Sequence, residues 1–80
     1  MSYAEEAIYL AKVRLTWAEE GFRKSARKAA EVIKTTEDKE VIRAIANSLL
    51  LDKKVLDEAE EHYNYIMEHY GKEAEQNDKN

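Results

Sequence analysis

The sequence predicts an all-α protein: a long antiparallel helical hairpin that dimerises into a four-helix bundle. Three observations support this fold class. The chain of 80 residues contains no proline and only two glycines, which is typical of long helices. Apolar residues recur at heptad spacing through two long segments, as they do in helices that pack along their length. The pattern breaks convincingly at one place near the middle of the chain, which predicts one reversal.

The first helix is predicted over residues 3–34. Its a positions are Ile8, Leu15, Phe22 and Ala29, and its d positions are Ala4, Ala11, Ala18, Ser25 and Val32. The turn is predicted within "IKTTEDKEV", residues 33–41. Its two threonines offer capping hydroxyls, and the acids that follow place negative charge on the first turn of the next helix, where the helix dipole favours it.

The second helix is predicted over residues 38–70. Its a positions are Ile42, Leu49, Leu56, Tyr63 and Tyr70, and its d positions are Ile45, Asp52, Ala59 and Ile66. Gly71 is expected to be the C-cap, because glycine readily adopts the backbone conformation that ends a helix. Residues 1–70 then form a single domain, and residues 71–80 are predicted to be a disordered polar tail.

The two helices have complementary core patterns. If the chain reverses at residue 37, each core residue of the first helix faces one core residue of the second, and the two form a layer. The two residue numbers in each layer then add up to 74. The layers are Val32–Ile42, Ala29–Ile45, Ser25–Leu49, Phe22–Asp52, Ala18–Leu56, Leu15–Ala59, Ala11–Tyr63, Ile8–Ile66 and Ala4–Tyr70. Six of the nine pair a small residue with a large apolar one, which is how facing layers fill space without voids.

Asp52 is the one charged residue in this core pattern. The heptad phase continues on both sides of it, which favours an unbroken helix. The alternative is that Asp52 is an N-cap, with a break near 51/52 and a three-helix bundle. In the unbroken helix, Asp52 and Ser25 form a buried polar site that fixes register, as single polar residues do in coiled coils. The candidates for a basic partner are Arg14, Lys53 and Lys54.

A second apolar face predicts a partner. It contains Tyr3, Leu10, Val13 and Trp17 from the first helix and Leu50 and Leu51 from the second. A single hairpin cannot cover this face, and patches of this kind mark interaction sites. We expect a homodimer, since two-fold dimers are the commonest assembly. Another helical protein, or a third helix folding back from Asp52, could also cover it.

Two resemblances of architecture suggest alternatives. The hairpin resembles the ferritin-like di-iron proteins, including half-ferritins that assemble a metal site across a dimer. His62, His69 and Glu58 share one side of the second helix, but the Glu-x-x-His motif of that family is absent. No metal or other cofactor is therefore expected. The hairpin also resembles small RNA-binding repressors of plasmid replication, which use one helical face. The basic run "FRKSARKAAEVIK" could serve that role.

Composition narrows these functions. The formal net charge of −4 does not favour nucleic-acid or membrane-surface binding. No apolar run approaches the roughly 20 residues that span a bilayer. The absence of cysteine excludes disulfides and fits a reducing, cytoplasmic setting. Ser25 and Ser48 lie far from the histidines along the hairpin, and the sequence contains no catalytic motif, so we do not expect an enzyme. The sequence predicts a small assembly or interaction protein.

Overall fold

The computed structural model describes the backbone of residues 2–79 and the side chains of residues 2–72. Over this part of the chain it contains two α-helices, α1 (Tyr3–Thr35) and α2 (Lys39–Lys79), packed as an antiparallel hairpin. The predicted all-α hairpin is confirmed. The predicted bounds of the first helix and the position of the turn agree with the structure to within a residue.

Local hydrogen bonds explain where α1 begins. The hydroxyl of Ser2 accepts a hydrogen bond from the backbone N–H of Glu5, at 3.2 Å. The carbonyl of Ser2 accepts from the N–H of Glu6, at 3.0 Å. Glu5 and Glu6 also place negative charge at the positive end of the helix dipole. Ser2 is therefore the N-cap of α1.

The turn is closed by the side chains that the sequence singles out. The N–H of Thr36 donates to the carbonyl of Val32 at 2.9 Å, which ends α1. The hydroxyl of Thr36 then accepts from the N–H of Asp38 at 3.2 Å. The carboxylate of Asp38 accepts from the N–H of Glu40 at 2.9 Å and caps the start of α2.

The favoured prediction of a second helix unbroken at Asp52 is confirmed, whereas the predicted end of that helix at residue 70 is wrong. The helix is continuous through Asp52, so the chain does not break near 51/52 and the three-helix alternative is set aside. The helix also continues through Gly71 to Lys79, so Gly71 is not a C-cap and its φ is not positive. The segment after Gly71, "KEAEQNDK", has no proline and no β-branched residue to stop a helix. The predicted disorder of residues 71–80 stays a prediction, and the side chains from residue 73 onward lie outside the described ones.

The core follows the predicted heptads. Every a and d side chain is buried or half-buried. Contacts across the hairpin agree with the predicted register to within one turn. The rings of Tyr3 and Tyr70 meet edge to face, with centroids 5.7 Å apart, and the ammonium of Lys53 lies 6.0 Å from the centre of the Phe22 ring. The small-against-large layers therefore position the rest of the surface.

The hairpin is long and thin. Its extents are 61 × 16 × 12 Å, and its radius of gyration is 17.8 Å, against about 12 Å for a compact domain of this length. Among the described side chains the buried apolar residues are Ala4, Ala11, Ala29, Leu56, Ala59 and Ile66. Most of these are alanines, and no large side chain is fully buried. One layer of two helices thus leaves much apolar surface uncovered.

Candidate functional site: an exposed apolar face

One side of the hairpin carries a continuous apolar surface, which we call the Trp17 face. It consists of residues at the c and g positions of both helices: Tyr3, Leu10, Trp17, Leu51, Val55 and Tyr65. The exposed fraction is 72% for Trp17, 66% for Leu51, 58% for Leu10 and 51% for Val55. These side chains are large and apolar, and water surrounds more than half of each.

Two grooves that share Leu10 show that Tyr3, Leu10, Trp17 and Val55 lie on one surface. The groove at the centre of the face has a volume of about 510 Å³. It is lined by Leu10, Val13, Arg14, Trp17, Ala18 and Val55. The lining comes from both helices, and its one charged residue is Arg14. Leu51 lies one helical turn before Val55 and extends the surface toward the turn end.

Further grooves continue the face toward each end of the hairpin. Toward the open end, Tyr3, Glu6, Ala7 and Leu10 line one groove. Toward the turn, Lys28, Ala44 and Ser48 lie beside core residues in another. The face is therefore apolar at its centre, with an acid near one end and a base near the other.

Leu50 lies on a different side of the hairpin from the rest of the predicted interface set. It lines a groove with Phe22, Ala46, Leu49 and Lys53, whereas Trp17, Leu10 and Val13 lie with Val55. Adjacent residues of an α-helix point about 100° apart, so Leu50 and Leu51 cannot share one flat contact. Leu50 therefore lies apart from the rest of the predicted interface set, and the interface itself stays a prediction.

Lys53 lines the same groove as Leu50, on the side of the hairpin away from Trp17. Its ammonium donates a hydrogen bond to the carboxylate of Asp57 at 2.8 Å. This bond, and the negative charge of Asp57, raise the pKa of Lys53. Lys53 therefore pairs with Asp57 rather than with Asp52, for which the sequence made it a candidate partner.

A polar pair lies inside the hairpin. The hydroxyl of Ser25 donates a hydrogen bond to a carboxylate oxygen of Asp52, and both residues are half-buried. Among the described side chains no basic group forms an ion pair with Asp52. The hydroxyl of Ser25 thus satisfies part of the carboxylate without neutralising its charge.

The histidines do not assemble a metal site within the hairpin. Among the described residues there is no group of three or more histidine, cysteine, aspartate or glutamate side chains placed to hold a metal ion. His69 instead packs against Tyr65, with ring centroids 4.1 Å apart. His62 and His69 are both exposed, on the same side of α2 as Val55.

The charged surface is less paired than the sequence suggests. Spacing permits ion pairs between Glu19 and Arg23, between Glu20 and Lys24, and between Arg27 and Glu31. None of these forms. Within the part of the chain whose side chains are described, the one ion pair joins Lys53 and Asp57. Among residues 2–72, the bases before the turn and the acids toward the open end therefore form no ion pair.

Comparison with known proteins gives no relative: no family model, no curated protein and no solved structure matches this chain. Over the described residues, neither helix has an apolar stretch long enough to cross a membrane.

Proposed function

We propose that this chain is a small cytoplasmic assembly protein that acts by pairing with a second copy of itself through the Trp17 face. The observation that carries the proposal is the exposure of Leu10, Trp17, Leu51 and Val55 on one surface. Single exposed apolar residues are normal on soluble proteins. A contiguous patch of large ones marks an interaction site.

The exposed area of the hairpin supports a partner. Its accessible surface is 6532 Å², whereas a compact monomer of 9.3 kDa exposes about 5,000 Å². A second hairpin stacked on the Trp17 face would turn one thin layer into the two-layer core of a four-helix bundle.

The composition of the core supports the same conclusion. The described buried residues are mainly alanines, which contribute little apolar area each. Chains of this size often need an additional source of stability, such as a partner. Burying Trp17 and Leu51 would add about 2 kcal/mol or more per side chain to the hydrophobic stabilisation.

Mass measurement tests the proposal. Light scattering at micromolar concentration is expected to give close to twice the chain mass of 9.3 kDa. Trp17→Glu is expected to shift the protein toward monomer, because a carboxylate would be buried at the centre of the interface. Ala30→Glu is the control, since Ala30 is exposed on α1 at a b position, away from the Trp17 face. A stable monomer with the fluorescence of a water-exposed tryptophan would contradict the proposal.

Nucleic-acid binding is a second candidate, favoured by one observation. Arg23, Lys24, Arg27 and Lys28 lie close together before the turn, are exposed, and form no ion pair among the described side chains. Such a cluster can contact phosphates. Fluorescence anisotropy with a labelled RNA hairpin, repeated at rising salt, would detect this. An affinity that does not fall with salt would argue against phosphate contacts.

A further inference from the structure

We infer that the second copy stacks on the Trp17 face in the antiparallel sense, so that the turn end of each hairpin covers the open end of the other. This inference rests on the proposed function, because it assumes that the Trp17 face is covered by a second copy. It adds the arrangement of the two hairpins and the residues that select it.

Two symmetric arrangements of stacked hairpins are possible. A two-fold axis in the interface can run along the helices or across them. In the first case the hairpins are parallel, and α1 of one copy lies on α2 of the other at the same height. In the second case they are antiparallel, and each helix lies on its own counterpart. The heptad positions then predict which residues meet in each case.

The antiparallel arrangement pairs apolar residues at the centre of the face. An axis at Trp17 places Trp17 against Trp17 of the second copy. The same axis crosses α2 near residue 57, because the core layers place residues 17 and 57 at one height. Leu51 and Tyr65 lie about equally far on either side of that point. Leu51 therefore meets Tyr65 of the second copy, and Tyr65 meets Leu51 of the second copy. Both contacts follow from one axis position.

The same axis pairs opposite charges along the edges. On α1, Glu6 meets Arg27 of the second copy. On α2, Lys54 meets Glu61 of the second copy. All four are exposed f-position residues, and none forms an ion pair among the described side chains. Two-fold symmetry repeats each pair, giving four favourable pairs at the rim.

The parallel arrangement buries charges against the apolar residues. It places Trp17 against Glu58 and Leu51 against Lys24, at the height that the core layers define. Each contact would remove a charged group from water without an opposite charge, which is unfavourable. The antiparallel arrangement instead keeps Trp17 and Leu51 in apolar contacts, although its register places Leu10 near Lys24 of the second copy.

The rim charges also disfavour the parallel arrangement. It places Glu6 against Glu68 of the second copy, which is a like-charge contact, and it gains the opposite-charge contact of Glu20 with Lys54. The repulsion between Glu6 and Glu68 offsets the attraction between Glu20 and Lys54, so the rim charges give the parallel arrangement no net gain. The antiparallel arrangement has no such like-charge contact among the rim residues considered.

The overall charge distribution agrees. Residues 19–55, the turn half, contain nine bases and seven acids. Residues 1–18 and 56–72, the open half, contain three bases and seven acids. Antiparallel stacking places the positive half of each hairpin over the negative half of the other, which favours association and sets direction.

A charge-swap experiment tests the arrangement. One variant carries Glu6→Lys and Glu61→Lys, and the other carries Arg27→Glu and Lys54→Glu. In the antiparallel dimer each variant alone has only like charges at the four rim pairs. Its self-association is expected to weaken about tenfold or more at low salt. An equal mixture restores every pair, so its dimer affinity is expected to return to within about threefold of the parent.

The parallel dimer predicts a different outcome. There Glu6→Lys removes the repulsion from Glu68, so the first variant would associate at least as well as the parent. The second variant would weaken, and the equal mixture would associate no better than the first variant alone. That result would overturn the antiparallel arrangement while the dimer itself, and its dependence on Trp17, stood. A parent chain that is monomeric would instead overturn the proposed function.

A distance measurement gives a second, independent test. The chain has no cysteine, so Lys34→Cys allows a single spin label near the turn and away from the rim pairs. In the antiparallel dimer the two labels lie about 35 residues apart along the helix axis, or roughly 50 Å. In the parallel dimer they lie at the same height, no more than about 30 Å apart. A measured distance below 30 Å would contradict the inference.

Discussion

Asp52 occupies a core position at which a charge is costly unless its polar atoms are satisfied. The hydroxyl of Ser25 donates to its carboxylate, and both residues remain half-buried. Single polar residues in helical cores penalise packings that would place them in a dry layer. We therefore propose that Asp52 fixes the register of the helices and the assembly state.

Asp52→Leu tests this role. Removing a polar group from a core position is expected to leave thermal stability equal or higher. The unique assembly is expected to be lost, so light scattering or native mass spectrometry should show more than one oligomer. Asp52→Asn is the control, because its amide oxygen can still accept from Ser25 and should keep a single species. If Asp52→Leu is less stable and still a single dimer, the role is wrong.

Sequence patterns are more reliable for core residues than for charged surface residues. Heptad spacing placed Ser25 and Asp52 in adjacent layers because packing fixes the height of core residues. Spacing permits Glu20 to pair with Lys24 and Arg27 to pair with Glu31, but neither ion pair forms. Lys53 and Asp57 do form an ion pair. Exposed ion pairs gain little free energy over hydration and lose side-chain entropy, so spacing alone does not determine which ones form.

The turn and the helix lengths show where element boundaries come from. Thr36 and Asp38 close the turn through side-chain hydrogen bonds, so the boundary has a chemical signal that can be read in the sequence. The end of α2 has no such signal. Gly71 suggested a cap, but glycine within a helix costs only about 1 kcal/mol. The residues after it are compatible with a helix, and α2 continues.

Gly71→Ala distinguishes a helical glycine from a cap. A Cβ added at Gly71 would contact the Cε atom of Met67 at 3.7 Å, an ordinary van der Waals distance. The substitution is expected to stabilise the protein by up to about 1 kcal/mol in chemical denaturation. If Gly71 were instead a cap with positive φ, alanine would destabilise the protein by a similar amount, and the assigned length of α2 would be wrong.

We predict that the hairpin folds without a metal ion. Its two helices are held by apolar layers, and the described residues offer no group of three or more metal-ligating side chains. Adding a chelator is expected to leave the thermal melting temperature unchanged, as measured by circular dichroism. A clear drop on chelation, reversed by adding back one divalent metal, would favour the half-ferritin-like alternative.

The whole molecule also shows what a sequence pattern leaves open. The surplus of apolar residues in the sequence predicts a partner. The faces on which Leu50 and Leu51 lie are known only once both helices are placed. Val55 lies with Trp17, and Leu51 lies one helical turn before Val55 on the same side of α2. Leu50 lies with Phe22 on the other side. Because Leu50 and Leu51 lie on different faces, substituting each leucine in turn compares the two faces directly.

The central claim is that the Trp17 face is the dimer interface, and sedimentation equilibrium of Leu51→Glu and Leu50→Glu tests it most directly. The two leucines are adjacent and almost equally exposed, at 66% and 67%, yet they lie on different faces. We expect the parent and Leu50→Glu to be dimers of similar affinity, and Leu51→Glu to dissociate at least about tenfold more readily, because it buries a carboxylate. Equal affinities for the two variants, or loss of the dimer in Leu50→Glu alone, would contradict the claim.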